Sequence, residues 1–184
     1  MTYKLLFFIS FFTLTSHLKA QFIFSNDTIN SKELHTNDSS IKANVYLFLS
    51  PECPLCRSYT STINELYSRY QTKGFNFFGV ISGTQFSTQS IEEFKNRYHL
   101  KPTFILDTNK KITNQLRATI TPEVVVVSTN GYTIYSGRID DWAYALGKKR
   151  KHITDHSLVN ALEDILNEKI IKNPKTIAIG CYIE

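Results

Sequence analysis

The residues of this chain best suited to chemistry are its cysteines, and two of the three stand close together in Ser50-Pro51-Glu52-Cys53-Pro54-Leu55-Cys56-Arg57. Two thiols with two residues between them can hold a metal, staple a loop or exchange electrons as a dithiol–disulfide pair. A zinc site needs a second close ligand pair, which the sequence lacks, and a c-type haem site needs histidine where Arg57 stands. A purely stapling bond across so short a loop removes little chain entropy. Electron exchange remains, with one binding alternative: a Cu(I) carrier using Cys53, Cys56 and either Cys181 or a histidine, since soft thiolates select that ion.

Exchange requires a thiolate, so the elements that carry the pair must stabilise one. Val45-Tyr46-Leu47-Phe48-Leu49 is a continuous apolar run of the kind found in a strand buried on both faces. Ile63, Leu66, Tyr67 and Tyr70 then recur at helical spacing, and Gly74 ends that helix. Pro54 suits the first helical position, where its missing N–H has no partner to lose. Cys53 is thereby set at a helix N-terminus, where free N–H groups and the positive end of the macrodipole favour a negative sulfur. Glu52 opposes that effect and Arg57 supports it. Cys56, one turn further on, can close a disulfide with Cys53.

The rest of the chain continues the alternation. Phe75 to Ile81 is a second buried strand, and Ile91, Phe94 and Tyr98 mark a second helix. Thr103 to Leu106 is a third strand, followed by a short helix around Ile112 and Leu116. Val124 to Val127 and Tyr132 to Tyr135 are strands joined through Asn130-Gly131, a strong hairpin signal. A last helix would bury Leu158, Leu162, Ile165 and Leu166. Alternating strands and helices imply an α/β fold: a central, mostly parallel sheet with helices on both faces and the hairpin as an antiparallel edge. Thr121-Pro122-Glu123 precedes the valine strand, and a proline at the head of a central strand suits a tight, often cis, turn.

With a strand, Cys53-Pro54-Leu55-Cys56, a helix and then Thr121-Pro122 in this order, the chain resembles the thioredoxin superfamily. The resemblance implies that Cys53 and Cys56 are the redox pair and that Thr121-Pro122 is the cis-proline loop facing it. Residues 102–118 give room for one strand–helix insertion beyond a plain thioredoxin, which is similar to the redoxin branch: the alkyl hydroperoxide reductase and thiol-specific antioxidant proteins, and the exported thioredoxins of cytochrome c maturation. The stretches TPEVVVVSTNGYTIYSGRIDD and IGCYIE look like an exported bacterial redoxin-domain group. The resemblance implies an exported thiol–disulfide oxidoreductase acting on protein thiols and disulfides, supplied by a membrane or periplasmic electron donor. Its cofactor is the Cys53–Cys56 disulfide itself, and it needs no metal. The alternative within the branch is a thiol-dependent peroxidase. For that, Ser50 would stand in for the usual threonine three residues before the reacting cysteine, and Arg138 is one candidate for the activating arginine.

Cys181 is the odd cysteine, which suggests a free thiol, an intermolecular bond, or a third thiol acting on the pair if the tail folds back. His152 and His156 read as exposed loop residues, and Asp140-Asp141-Trp142 is a weaker candidate for chemistry that equally suits a structural turn. Residues 1–20 have the layout of a secretory signal peptide: basic Lys4, an apolar run from Leu5 to Leu14, and small Ala20 at the expected cut. The apolar run is only about half of what a membrane span needs. Residues 21–40 read as a polar lead-in, 41–170 as the thioredoxin-like domain and 171–184 as a tail carrying Cys181. The formal charge of +5 falls to +3 once Lys4 and Lys19 are removed, too little to suggest a nucleic-acid partner. Most of the surplus lies in Lys148-Lys149-Arg150-Lys151, read as a solvated loop.

Overall fold

The computed structural model of the chain describes residues 22–24 and 40–184. Its elements run β1 (Phe22–Phe24), β2 (Ala43–Phe48), α1 (Pro54–Tyr70), β3 (Phe75–Ser82), α2 (Thr88–Arg97), β4 (Thr103–Asp107) and α3 (Lys111–Leu116). There follow β5 (Ile120–Thr121), β6 (Glu123–Ser128), β7 (Thr133–Gly137), β8 (Ala143–Ala145), β9 (Lys148–Lys149), α4 (Ser157–Leu166) and β10 (Cys181–Tyr182). Six strands form the central sheet in the order β1-β4-β3-β2-β6-β7. β1, β4, β3 and β2 are parallel, whereas β6 runs antiparallel to both β2 and β7. This is the expected thioredoxin-like architecture, with β4 and α3 as the additional strand and helix.

The middle position of β2 explains its composition. Every residue of β2 is buried, because alternate side chains serve opposite faces. Val45 and Leu47 join the larger core with Ile63 and Leu66 of α1, Ile91 and Phe94 of α2, and Leu158 and Leu162 of α4. Tyr46 and Phe48 join a smaller core on the other face, against Ile112 and Leu116 of α3. Helices therefore cover both faces. Asp107 at the end of β4 fixes α3, its carboxylate accepting the N–H groups of Ile112 (3.2 Å) and Thr113 (2.8 Å). α1 passes through a short 3-10 turn and stops at Gly74, whose φ of 90° is the left-handed value that glycine adopts without strain.

Several expectations change. The stretch read as a polar lead-in contains β1, whose backbone adds to the outer edge of the sheet in register with Phe104 to Leu106. The remainder of that lead-in and the signal-peptide residues lie outside the described residues. In α4 the fully buried positions are Leu158, Ala161 and Leu162, and Ile165 and Leu166 are only half-buried. The basic run begins as β9, paired with β8, and Lys149 lies over the Trp142 ring, 4.8 Å from its centre. Residues 174–176 run beside β7, with Ser136 N–H donating to the Pro174 carbonyl (2.9 Å) and Thr176 N–H to the Ser136 carbonyl (2.9 Å). The tail is thus docked on the sheet rather than trailing from it.

Candidate functional site

The pair of cysteines sits where β2 ends and α1 begins. Leu49 N–H donates to the Val80 carbonyl (2.9 Å), the chain turns through Ser50, Pro51 and Glu52, and Cys53 N–H closes the turn on the Ser50 carbonyl (3.2 Å). Cys53 is the N-cap of α1, with extended φ and ψ of −71° and 117°, and Pro54 is the first helical residue. That geometry sets the Cys53 sulfur at the open end of the helix, where the nearby N–H groups of Cys56 and Leu55 favour its charge without forming a side-chain cap hydrogen bond. Cys56 lies a turn deeper, fully buried, and its sulfur accepts the Ser50 N–H at 3.4 Å.

The facing wall is the loop between β5 and β6. The Thr121–Pro122 peptide bond is cis, both residues are buried, and the Thr121 carbonyl lies 3.1 Å from the Cys53 sulfur, which donates to it when protonated. Glu123 holds this loop in place, its carboxylate accepting the N–H groups of Thr119 (2.9 Å) and Ile120 (3.2 Å). β10 supplies the third wall. Cys181 pairs with Thr121 and Tyr182 with Ile120 in an antiparallel ladder, which brings the Cys181 sulfur to 3.1 Å from that of Cys53. Together these walls enclose a cavity of about 380 Å³ whose lining includes Ser50, Glu52, Cys53, Phe86, Cys181 and Glu184.

The three thiols do not share one character. Cys53 is pulled down to about 4 by the hydrogen bond from the Cys56 thiol, against the cost of burial, with help from the Cys181 thiol and the N–H groups of Cys56 and Leu55. Cys56 is pushed well above the ordinary thiol range by burial first, then by its hydrogen bond to Cys53 and the charge there. Cys181 is raised to about 11 by the same three causes in the same order. One sulfur is therefore ionised at neutral pH, and two neutral thiols donate to it. Such a trio can attack a disulfide through the first sulfur and resolve the product through another.

Of the residues singled out in the sequence, Cys53, Cys56, Thr121, Pro122, Cys181 and Ser50 come together, and Arg57 and Arg138 do different work. The Ser50 hydroxyl accepts the Glu52 N–H at 3.3 Å, which braces the turn. Arg57 bends back to donate to the Pro51 carbonyl (2.8 Å) and so also serves the turn rather than the Cys53 sulfur. Arg138 is absent from the cavity lining. Its guanidinium pairs with Asp155 (2.7 Å) and donates to Ser157 (2.9 Å), tying the end of β7 to the start of α4. Asp140 accepts the buried Tyr59 hydroxyl at 2.6 Å and Asp141 accepts the Thr154 N–H, so of the two readings of the Asp-Asp-Trp segment these bonds support the structural turn. Among the described residues no group of three or more His, Cys, Asp or Glu side chains is arranged to hold a metal ion, and no helix among them is long and apolar enough to cross a membrane. Glu123 and Gly180 were missed. A carboxylate directly after Thr-Pro was the available signal for the first, and a glycine directly before the odd cysteine for the second.

Fold and site together define a thioredoxin-like protein. The Redoxin family profile matches residues 24–142, which include Cys53, Cys56, Thr121 and Pro122 and stop short of the tail. The chain belongs to the redoxin family. It is similar in structure to an uncharacterized conserved protein from Geobacillus kaustophilus, with a TM-score of 0.68 at 20% identity over 78% of this chain and 77% of that one. A hypothetical protein from Sinorhizobium meliloti gives 0.64 at 20% identity over 78% and 80%. DsbF of MTB, solved in mixed oxidised and reduced forms, gives 0.52 at 19% identity over 73% and 84%. At these identities the likeness is one of fold. No relative was found among curated proteins.

Proposed function

We propose that the protein is a thiol–disulfide oxidoreductase in which Cys53 attacks and Cys56 resolves. The observation that carries this reading is the contrast within the pair: Cys53 pulled down to about 4 at the helix end, and a buried Cys56 pushed far the other way. The Cys53 thiolate attacks one sulfur of a partner disulfide, a mixed disulfide forms, and the other partner sulfur leaves as a thiolate and takes up a proton. Cys56 then gives up its proton and attacks the Cys53 sulfur. The Cys53–Cys56 disulfide closes and the second partner thiol is released, so two electrons have passed to the partner. The reverse sequence oxidises a partner dithiol. Stabilising the Cys53 thiolate stabilises the reduced form, which favours that oxidising direction. The Thr121 carbonyl and the cis Pro122 form the wall against which the partner's sulfur is presented.

The signal-like features of residues 1–20 support an exported setting, with protein thiols and disulfides as partners and a membrane or periplasmic donor resetting the pair. Peroxide reduction is the weaker reading, because no arginine is among the residues lining the cavity beside Cys53. Reduced protein is expected to turn over the disulfides of insulin far faster than it reacts with hydrogen peroxide, and Cys53→Ser to fall to the uncatalysed rate. Peroxide oxidation far faster than that of an ordinary free thiol would overturn the assignment in favour of the peroxidase.

A further inference from the structure

Cys181 is 128 residues from Cys53 in sequence and in contact with it in space. The contact is built by the backbone. The short strand β5 is paired by β10, with the Thr121 hydroxyl donating to the Cys181 carbonyl (3.4 Å) and Ile183 N–H donating to the Thr119 carbonyl (2.9 Å). Gly180 makes the approach achievable, since a Cβ there would lie 2.0 Å from the Thr121 carbonyl oxygen. After the cysteine Ile183 packs on the smaller core and Lys110 contacts the Glu184 carbonyl, and before it residues 174–176 run along β7, so the tail is anchored on both sides of the cysteine. With the tail in place Cys53 is only 2% exposed, which denies its sulfur to a large partner. Yet β10 is two residues long, and Tyr182 within it is 82% exposed. Few contacts of its own hold this strand, the feature that marks segments of low local stability.

An extended segment that pairs along an edge strand and brings a sulfur against a reactive thiolate is the arrangement a disulfide-bearing partner chain must adopt. We propose that the C-terminal tail is a tethered internal substrate of the Cys53–Cys56 pair: Cys181 exchanges with it to form a Cys53–Cys181 disulfide, and β10 must leave β5 before a partner chain can take its place. This rests on the oxidoreductase reading and adds to it a third reacting thiol outside the stretch matched by the family. The exchange balances without an external oxidant. Starting from the oxidised pair, the Cys181 thiolate attacks the Cys53 sulfur, the Cys53–Cys56 bond breaks, and Cys56 leaves as a thiolate that takes up the proton Cys181 released. In that oxidised state Cys53 carries no charge, so two of the three causes that hold the Cys181 thiol up are gone and it ionises more readily. A mixed disulfide at Cys53 is open to the same attack, which releases the partner thiol and closes the tail.

The test uses the full chain. Reduced Cys56→Ser protein is oxidised with diamide, its free thiols are blocked, and its disulfides are mapped by mass spectrometry. An intramolecular Cys53–Cys181 bond is expected in nearly all molecules. Its absence, with intermolecular dimers or free thiols instead, would overturn the proposal. In parallel, Cys56→Ser should trap a model protein disulfide at least about tenfold less than Cys56→Ser/Cys181→Ser, because a docked thiol competes at a high effective concentration. Equal trapping would also overturn it. Should the variants fail to fold, the wild-type chain equilibrated with a thiol–disulfide buffer decides by the same bond, which must appear beside Cys53–Cys56. Mapping needs no partner turnover. Loss of the tail bond with insulin reduction intact would therefore sink this inference alone, whereas loss of insulin reduction would sink the oxidoreductase reading.

Discussion

Two sulfur atoms face Cys53, and they are carried by unlike parts of the molecule. Cys56 belongs to the first turn of the 17-residue α1, whose inner face of Cys56, Tyr59, Ile63, Leu66 and Tyr70 is buried in the larger core. Cys181 belongs to the two-residue β10, held by a short ladder and by residues on either side. The first partner cannot leave without unfolding the domain, and the second can leave alone. A redox centre thereby gains one fixed partner and one releasable partner for a single reactive sulfur. The fixed one determines the chemistry and the releasable one determines access.

Mutations in the two regions should separate these roles. Ile63→Ala, which opens a cavity directly under the cysteine helix, is expected to cost about 2–5 kcal/mol of global stability in denaturant unfolding. A loss below that range would mean that α1 is less firmly seated than its burial implies. Gly180→Val cannot keep its place against the Thr121 carbonyl, and overpacking of this kind costs roughly 1–3 kcal/mol. Here the expected outcome is release of the tail rather than of the fold, with alkylation of Cys53 rising about tenfold for each ~1.4 kcal/mol of tail docking that is lost. An unchanged alkylation rate would show that β10 does not limit access.

The pH dependence separates Cys53 from its neighbours. Its native value lies near 4, well below that of an ordinary thiol, so between these limits the unfolded chain binds more protons than the native one. The contribution of Cys53 to the stability of the reduced protein is therefore complete above the ordinary thiol value and is lost as pH falls toward 4. Unfolding of reduced wild type compared with Cys53→Ser should show this rise with pH, and parallel curves would remove the claim. The smallest effect is expected from the donors. Cys56→Ala should raise the Cys53 value more than Cys181→Ala does, because the Cys56 bond is the largest of the stabilising contacts. The opposite order in titrations of thiolate absorbance would reverse the roles of the fixed and releasable partners.

Much of the fixed region was legible in the sequence. Helical spacing over Ile63, Leu66 and Tyr70, an apolar β2 and Pro54 at the first helical position are local signals, and they located Cys53 and Cys56 on the fold. Thr121-Pro122 was readable because a proline at the head of a central strand has few structural uses. The releasable region was not legible. A two-residue strand carries no periodicity, and its pairing with β5 depends on the path of the tail along β7, so the meeting of Cys181 with Cys53 stayed one option among several. β1 escaped notice for the same reason of length. Arg138 was a candidate only because distance in space is invisible from sequence, and its bond to Asp155 shows it bracing α4.

Ionisation of Cys53 by a cradle of two thiols and two backbone N–H groups is the central claim, and one titration tests it most directly. The rate of iodoacetamide modification of the Cys53-containing peptide is followed against pH in the fully reduced wild-type chain, with the three cysteines resolved by mass spectrometry. A midpoint near 4 for Cys53, with Cys56 and Cys181 unreactive until far higher pH, is the expected result. A Cys53 midpoint near the ordinary thiol value of ~8.5 would contradict it.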